Sequence, residues 1–172
     1  DFAHWAIFGR GVIFGNPNKE PRDTQANATT EMVATVIYLL KTNPNFKTIA
    51  VVNQDYAWGR DSWEIFRNTL LALKPDVQVV GEDLHPLGRV KDFAPYISKI
   101  RASGADTVVT ANWGQDLTLL IKAAKDAGLD ANFYTYYAIT SGVPTAMAQG
   151  VGGKVRVVAI GHNSLPGIVK WQ

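Results

Sequence analysis

The stretch "TIAVVNQDYAWGRDSWEIFRNTLLALKP", residues 48 to 75, decides the architecture. "TIAVV" (48–52) is short, rich in β-branched side chains and without alternation, the pattern of a strand buried on both faces. In "GRDSWEIFRNTLLALKP" (59–75), Trp63, Phe66, Leu70 and Leu73 share one helical stripe, and Pro75 ends the helix. A further strand, "VQVVG" (77–81), follows. Two strands joined by a single helix pair in parallel, because the crossover helix returns the chain to the same edge. The connecting "NQDYAW" (53–58) sets Tyr56 and Trp58 among polar residues at the mouth of the first strand, where large rings need a reason to be.

The same alternation extends both ways. Upstream, "DTQANATTEMVATVIYLLKTNP" (23–44) reads as a helix capped by Asp23 or Thr24 and stopped by Asn43-Pro44, with Val33, Val36, Ile37 and Leu40 on one face. Downstream, "KDFAPYISKIRASG" (91–104) is a helix with Asp92 as N-cap, Pro95 in its first turn and Gly104 as its left-handed stop, burying Phe93, Ile97 and Ile100. "DTVVT" (106–110) is a strand. "QDLTLLIKAAKDAG" (115–128) is a helix with Leu117, Leu120, Ile121 and Ala124 inward and Gly128 as its stop. "NFYTYY" (132–137) and "KVRVVAI" (154–160) are strands, and "TSGVPTAMAQG" (140–150) between them is at most a short helix. The fold class is α/β: an open, doubly wound, mainly parallel sheet. In the first twenty residues, "WAIFG" and "GVIFG" each read as a strand candidate.

Composition narrows the function. In 172 residues, 47% are hydrophobic and 19% charged, a mixture that buries one core. The net charge of +2 is spread over interspersed Lys, Arg, Asp and Glu, and no basic stripe interleaves with aromatics, so nucleic acid is disfavoured as a partner. Without cysteine there are no disulfides, thiolate metal sites or Cys nucleophiles. No run reaches the ~20 apolar residues of a membrane-spanning helix, and no signal peptide is visible. The chain opens at Asp1 rather than Met, which fits a processed protein or an excised piece.

In an open parallel sheet, ligands bind outside the carboxyl ends of the strands. The segments after the strands are "NQDYAW" (53–58), "DLHPLG" (83–88), "ANWG" (111–114) and "YAITSG" (137–142). They are expected to gather on one rim, bringing Trp58, Trp113 and Tyr137 together with Tyr56 and Asn112 beside them. His85 lies in one of these loops, and helix N-termini near Asp61, Gln115 and Ser141 face the same way. On this reading the rings are exposed because they wall a small-molecule pocket. Trp63, on an apolar stripe, belongs to the core.

Catalytic and cofactor signals are weak. "GRGVIFG" (9–15) lacks a clear preceding strand, and Pro17 and Pro21 interrupt any following helix, so it is a poor dinucleotide fingerprint. His4, His85 and His162 have no partners at metal-ligand spacing. Ser62 is outside a Gly-x-Ser-x-Gly elbow, and capping suits Asp61 better than acid–base work with Asp55. The expectation is no catalytic residues, no metal and no cofactor.

From about Asn18 to Pro166 the chain resembles a known family. Its motifs are "D-x-x-x-G" after a strand, "P-L-G…K-D-F…I-x-K-I-x-x-S-G-A-D" and "K-A-A-K-D-A-G-L". Together they are similar to the type I periplasmic solute-binding proteins of branched-chain amino acid ABC transporters. The resemblance implies two α/β lobes joined by crossing hinge strands and closing on a ligand, of which this chain is essentially the second lobe. Residues 1–22 would then be the incoming hinge segment, 23–160 the ligand-binding lobe and 161–172 the outgoing hinge segment. It also implies that Trp58, just before Gly59, contacts the ligand and that Trp113 matches a second ligand-contacting aromatic. Family members that bind amino acids hold the ammonium with a carboxylate after the next strand. Here Tyr136, Tyr137 and Ala138 stand there with no acid, so an aromatic acid, an amide or another small organic solute fits as well as an amino acid.

The function so implied is solute capture for an importer, without turnover, in the periplasm. The partners are a small-molecule solute, an inner-membrane ABC permease and the first lobe of the same protein. Alternatives are a ligand-sensing domain of a receptor with the same fold and a Rossmann-like enzyme. A lobe standing alone is expected to expose its cleft face and to self-associate.

Overall fold

The computed structural model describes residues 28–139, 143–148 and 154–158. The hinge segments, the strand candidates and glycines near the N-terminus, His4, His162 and Ser141 lie outside them. In chain order the elements are α1 (Ala28–Thr42), β1 (Thr48–Gln54), α2 (Ala57–Leu73), β2 (Gln78–His85), α3 (Ala94–Ser103), β3 (Thr107–Thr110), α4 (Gly114–Asp126), β4 (Asn132–Thr135), α5 (Val143–Ala148) and β5 (Val155–Val157). The strands form one sheet in the order β2-β1-β3-β4-β5, and every pairing is parallel. This is the doubly wound α/β layer that the alternation of elements implies.

Strand periodicity divides the core. Ile49 and Val51 of β1, with Val109 and Tyr134, face the layer of α1 and α2. Ala50 and Val52, with Val108 and Phe133, face Ile97 and Ile100 of α3, Leu117, Leu120, Ile121 and Ala124 of α4, and Val143 of α5. Both faces are covered, so the central strands are buried along almost their whole length and their apolar residues show no alternation with solvent-facing ones. Gly104 and Gly128 end their helices at φ 69° and 60°, the left-handed conformation expected of them.

Several boundaries and one face differ from the sequence reading. Helix α2 begins at Ala57, so Asp61 lies inside it rather than at its N-cap. Its N-cap is Tyr56, extended at φ −155° and without a side-chain cap, which leaves no capping signal to read. Leu73, its last residue, is 58% exposed because the helix ends beyond the edge of the core. Strand β2 runs on to His85, so "DLH" is strand rather than rim loop, and the His85 carbonyl accepts the Asp55 N–H at 2.7 Å. Helix α3 starts at Ala94 with Phe93 as N-cap, while Asp92 still accepts the Ala94 N–H at 2.9 Å. On α1, Ala28, Met32, Thr35, Val36 and Leu39 are buried and Ile37 is 55% exposed. Apolar residues ring much of that helix, so periodicity alone did not single out the face that meets α2.

Candidate functional site

Strand β1 is the pivot of the sheet. The chain leaves it through α2 to β2 on one side, then crosses through α3 to β3 on the other. The strand order reverses between β1 and β3, and their carboxyl ends open the crevice where doubly wound folds bind ligands.

The floor of this crevice is a polar network. Asn53, at 0% exposure, donates to the Gly59 carbonyl and accepts the Ala111 N–H, both at 2.8 Å. It thereby ties the end of β1 to α2 and to the segment after β3. Gln54 donates to Asp116 Oδ2 at 2.8 Å, and the same oxygen accepts the Gly88 N–H at 2.8 Å. Gly59 lets the first turn of α2 sit against β1: a Cβ there would lie 1.9 Å from the Gln54 carbonyl oxygen. The glycine of "D-x-x-x-G" is therefore a packing requirement.

The six candidate site residues sort into three pairs. Trp113 Nε1 donates to the Tyr56 hydroxyl at 2.8 Å, joining the rim after β1 to the rim after β3. Trp113 is 40% exposed and Tyr56 is half-buried. The second pair is Trp58 and Tyr137, with ring centroids 5.8 Å apart. The third is His85 and Asn112, with Asn112 Nδ2 2.9 Å from His85 Nε2. His85 Nδ1 lies 3.2 Å from the Pro86 carbonyl, so Nδ1 carries the proton and Nε2 accepts.

Two of these residues, Trp58 and His85, are not where the sequence reading put them. Trp58 is fully buried, not an exposed wall. It occupies the first turn of α2, which turns its indole inward. There Nε1 donates to the Ala111 carbonyl at 2.8 Å, and the ring meets Tyr136 edge-on. Its hydrogen-bonding group is satisfied inside, so the ring has no need of the surface. His85 and Asn112 are likewise at 0% exposure. His85 closes β2 and packs edge-on against Phe93, 4.9 Å away, instead of standing in a solvated loop. Exposed or half-exposed at the rim are Tyr56, Trp113 and Tyr137.

Two acids belong to this edge that sequence reasoning did not select. Asp116 in the first turn of α4 is 2% exposed. Glu31 lies in the first turn of α1. Because α1 leads into the start of β1, its own beginning must lie at the carboxyl edge. Burial pushes the Glu31 carboxyl up to about 7, and burial also raises the Tyr137 phenol, with the Glu31 charge adding to the effect. The Tyr56 hydroxyl is raised by burial and lowered in part by its bond from Trp113. The order of the elements is the signal that would have found Glu31, since a helix preceding a parallel strand starts where the strand ends.

Comparison with known proteins accords with this geometry. A family model described as periplasmic binding protein matches residues 22–161. The Leu/Ile/Val-binding protein homolog 4 of Brucella abortus (strain 2308) is 44% identical over 88 residues, covering 50% of this chain and 20% of that protein. The leucine-, isoleucine-, valine-, threonine- and alanine-binding protein of Brucella ovis, in a closed conformation, is 34% identical with a TM-score of 0.59, covering 74% of this chain and 31% of that one. A solute-binding protein of an ABC transporter from Rhodopseudomonas palustris HaA2, in complex with p-hydroxybenzoic acid, is 25% identical with a TM-score of 0.59. It covers 66% of this chain and 30% of that one. The chain thus spans about a third or less of the relatives it matches. With a matched segment covering most of its length and a parallel sheet of the same fold, this chain belongs to the periplasmic binding protein family.

Proposed function

We propose that this chain is one lobe of a two-lobed solute-capture protein of an ABC importer, holding a small organic solute against its rim without chemical turnover. The single observation that carries the reading is the convergence of Tyr56, Trp113 and Tyr137 on the carboxyl edge above the β1/β3 switch point. Their rings offer apolar faces and phenol or indole groups, the equipment for gripping a small amphipathic molecule. Beneath them, Trp58, Asn53, Asn112 and His85 form a hydrogen-bonded floor that holds the rings in place.

Trp113 at 40%, Leu87 at 42% and Ile139 at 64% exposure all follow strand ends. An opposing lobe would cover them. Residues 1–22 and 161–172 are proposed as the hinge segments that lead to it. The relatives' names point to amino acids and to aromatic acids as solute classes. We extend the family's periplasmic setting and an inner-membrane permease partner to this chain on the same basis. Among the described residues no helix is long and apolar enough to cross a membrane.

The test is thermal denaturation of the full-length protein containing this chain, with L-leucine, L-valine, benzoate and 4-hydroxybenzoate each added in excess. A ligand present at about 100 times its Kd stabilises by about 2.7 kcal/mol, a readily measured rise in Tm. Recovery of the solute unchanged after incubation supports capture. A panel without any shift, or a solute consumed in proportion to protein and time, overturns the reading.

A further inference from the structure

We propose that Gln54 and Asp116 are positioning residues of the solute rim: neither meets the solute, and together they aim the Trp113 ring over the end of β1. The inference rests on the solute-capture reading and adds to it the residues that set the pose of its exposed indole.

The chain around Trp113 gives it little support. Trp113 is the N-cap of α4, extended at φ −139° and ψ 169°, without a side-chain cap. Gly114 follows at φ 59°, and a Cβ on it would meet nothing within 4 Å. That glycine is needed for its backbone angle rather than for space. It turns the chain sharply into the helix and leaves Trp113 outside, 40% exposed.

Support comes from β1. Gln54 Nε2 donates to Asp116 Oδ2 at 2.8 Å and to the Trp113 carbonyl at 3.4 Å. One amide on the last residue of β1 thus holds α4 both at its N-cap and at the third residue of the helix. The Trp113 indole reaches back to the Tyr56 hydroxyl, and the Tyr56 N–H donates to the Gln54 carbonyl at 3.0 Å. These bonds close a ring through Gln54, Asp116, Trp113 and Tyr56. Asp116 Oδ2 also accepts the Gly88 N–H, so the turn after β2 is held by the same atom.

Stability alone does not account for this pair. Gln54 is 1% and Asp116 2% exposed, and Gln54 Oε1 and Asp116 Oδ1 have no donor among the described residues. A buried carboxylate with one oxygen unpartnered is costly, and apolar side chains of similar size would fill the place at less cost. What the pair supplies is direction. Two bonds to one fixed, charged oxygen narrow the placement of the first turn of α4, and Trp113 with it. A ring held ready over the rim binds without first being ordered.

The experiment uses the full-length protein containing this chain. The Trp113 indole N–H resonance, identified by its loss in Trp113→Phe, reports the bond to Tyr56 by NMR without solute. Asp116→Ala and Gln54→Ala are expected to move it toward its position in Tyr56→Phe, and Asp116→Asn, which keeps an acceptor, to move it less. Calorimetry with L-leucine, L-valine, benzoate and 4-hydroxybenzoate, at a temperature where each variant is folded, gives the second readout. Whichever probe binds the wild type is expected to bind Asp116→Ala about tenfold more weakly and Asp116→Asn about two- to threefold more weakly. The Gln54→Ala/Asp116→Ala double variant is expected to lose no more than the weaker-binding single variant, because both act through one bond. An unmoved indole resonance in Asp116→Ala overturns the proposal, and so does unchanged affinity or an additive loss in the double variant. Should Asp116→Ala fail to fold, Asp116→Asn and Gln54→Ala decide by the same two readouts. Absence of binding of all four probes to the wild type overturns the capture reading and this proposal with it, whereas binding that ignores these variants overturns this proposal alone.

Discussion

The indole of Trp113 donates its hydrogen to the hydroxyl of Tyr56 at 2.8 Å, bridging two loops that are far apart in sequence and adjacent only because β1 and β3 pair. The bridge is surface-exposed and ties together the two sides of the switch point. It marks the rim as a single surface.

Trp113 and Trp58 should respond in opposite ways. Trp113→Phe removes an exposed hydrogen bond and is expected to cost under about 1 kcal/mol of stability. Its effect should appear as weakened solute binding. Trp58→Phe leaves the buried Ala111 carbonyl without its donor and opens space beside Tyr136. A cost of about 2–4 kcal/mol is expected. Urea denaturation of the two variants checks the contrast, and equal destabilisation would contradict the assigned burial.

Gly59→Ala should be among the most damaging substitutions in the chain. The new Cβ would meet the Gln54 carbonyl oxygen at 1.9 Å, backbone that cannot swing aside. Moving α2 away from β1 would break the Asn53 bond to the Gly59 carbonyl. A loss of more than about 3 kcal/mol is expected, read as a fall in denaturation midpoint. A variant within about 1 kcal/mol of wild type would refute the close approach.

Asp116 holds two donors, the Gln54 amide and the Gly88 N–H, with one oxygen. Asp116→Ala is expected to cost about 2–3 kcal/mol and to raise hydrogen exchange at Gly88. Asp116→Asn retains an acceptor and should cost roughly half as much. Amide exchange followed by NMR distinguishes these outcomes from simple loss of packing.

Glu31 should make stability fall with pH. Its folded-state value of about 7 stands above the ordinary 4.5. Its favourable contribution is therefore complete below about pH 4.5 and is lost as pH rises through about 7. Relative to Glu31→Gln, the wild type should lose about 1–2 kcal/mol between those limits, a figure reduced for solvent screening of a partly exposed side chain. Parallel pH–stability curves for the two proteins would exclude it.

The chain by itself should associate through its rim. Trp113, Leu87 and Ile139 are exposed there, and Leu84 at the end of β2 is 43% exposed. Sedimentation velocity over a range of concentrations is expected to show a rising weight-average mass. A profile that stays monomeric at high concentration would count against an uncovered face.

Much of this architecture was legible in the residues. The short β-branched runs at 48–52 and 106–110, without polar alternation between their valines, declare strands covered on both sides, and the left-handed stops Gly104 and Gly128 declare helix ends. Strands joined by single helices leave only parallel pairing. These features are local, decided by side-chain shape and backbone preference within a few residues, so sequence alone determined them. Which aromatic is surface and which is core was decided only by tertiary structure. Trp58 and Trp113 both follow strands in polar surroundings, yet one finds a carbonyl inside at Ala111 and the other a phenol at the rim. Glu31 illustrates the same limit. Its place beside Tyr137 depends on α1 lying back along β4 across more than a hundred residues of chain, and only the packed sheet brings that carboxyl and that ring together.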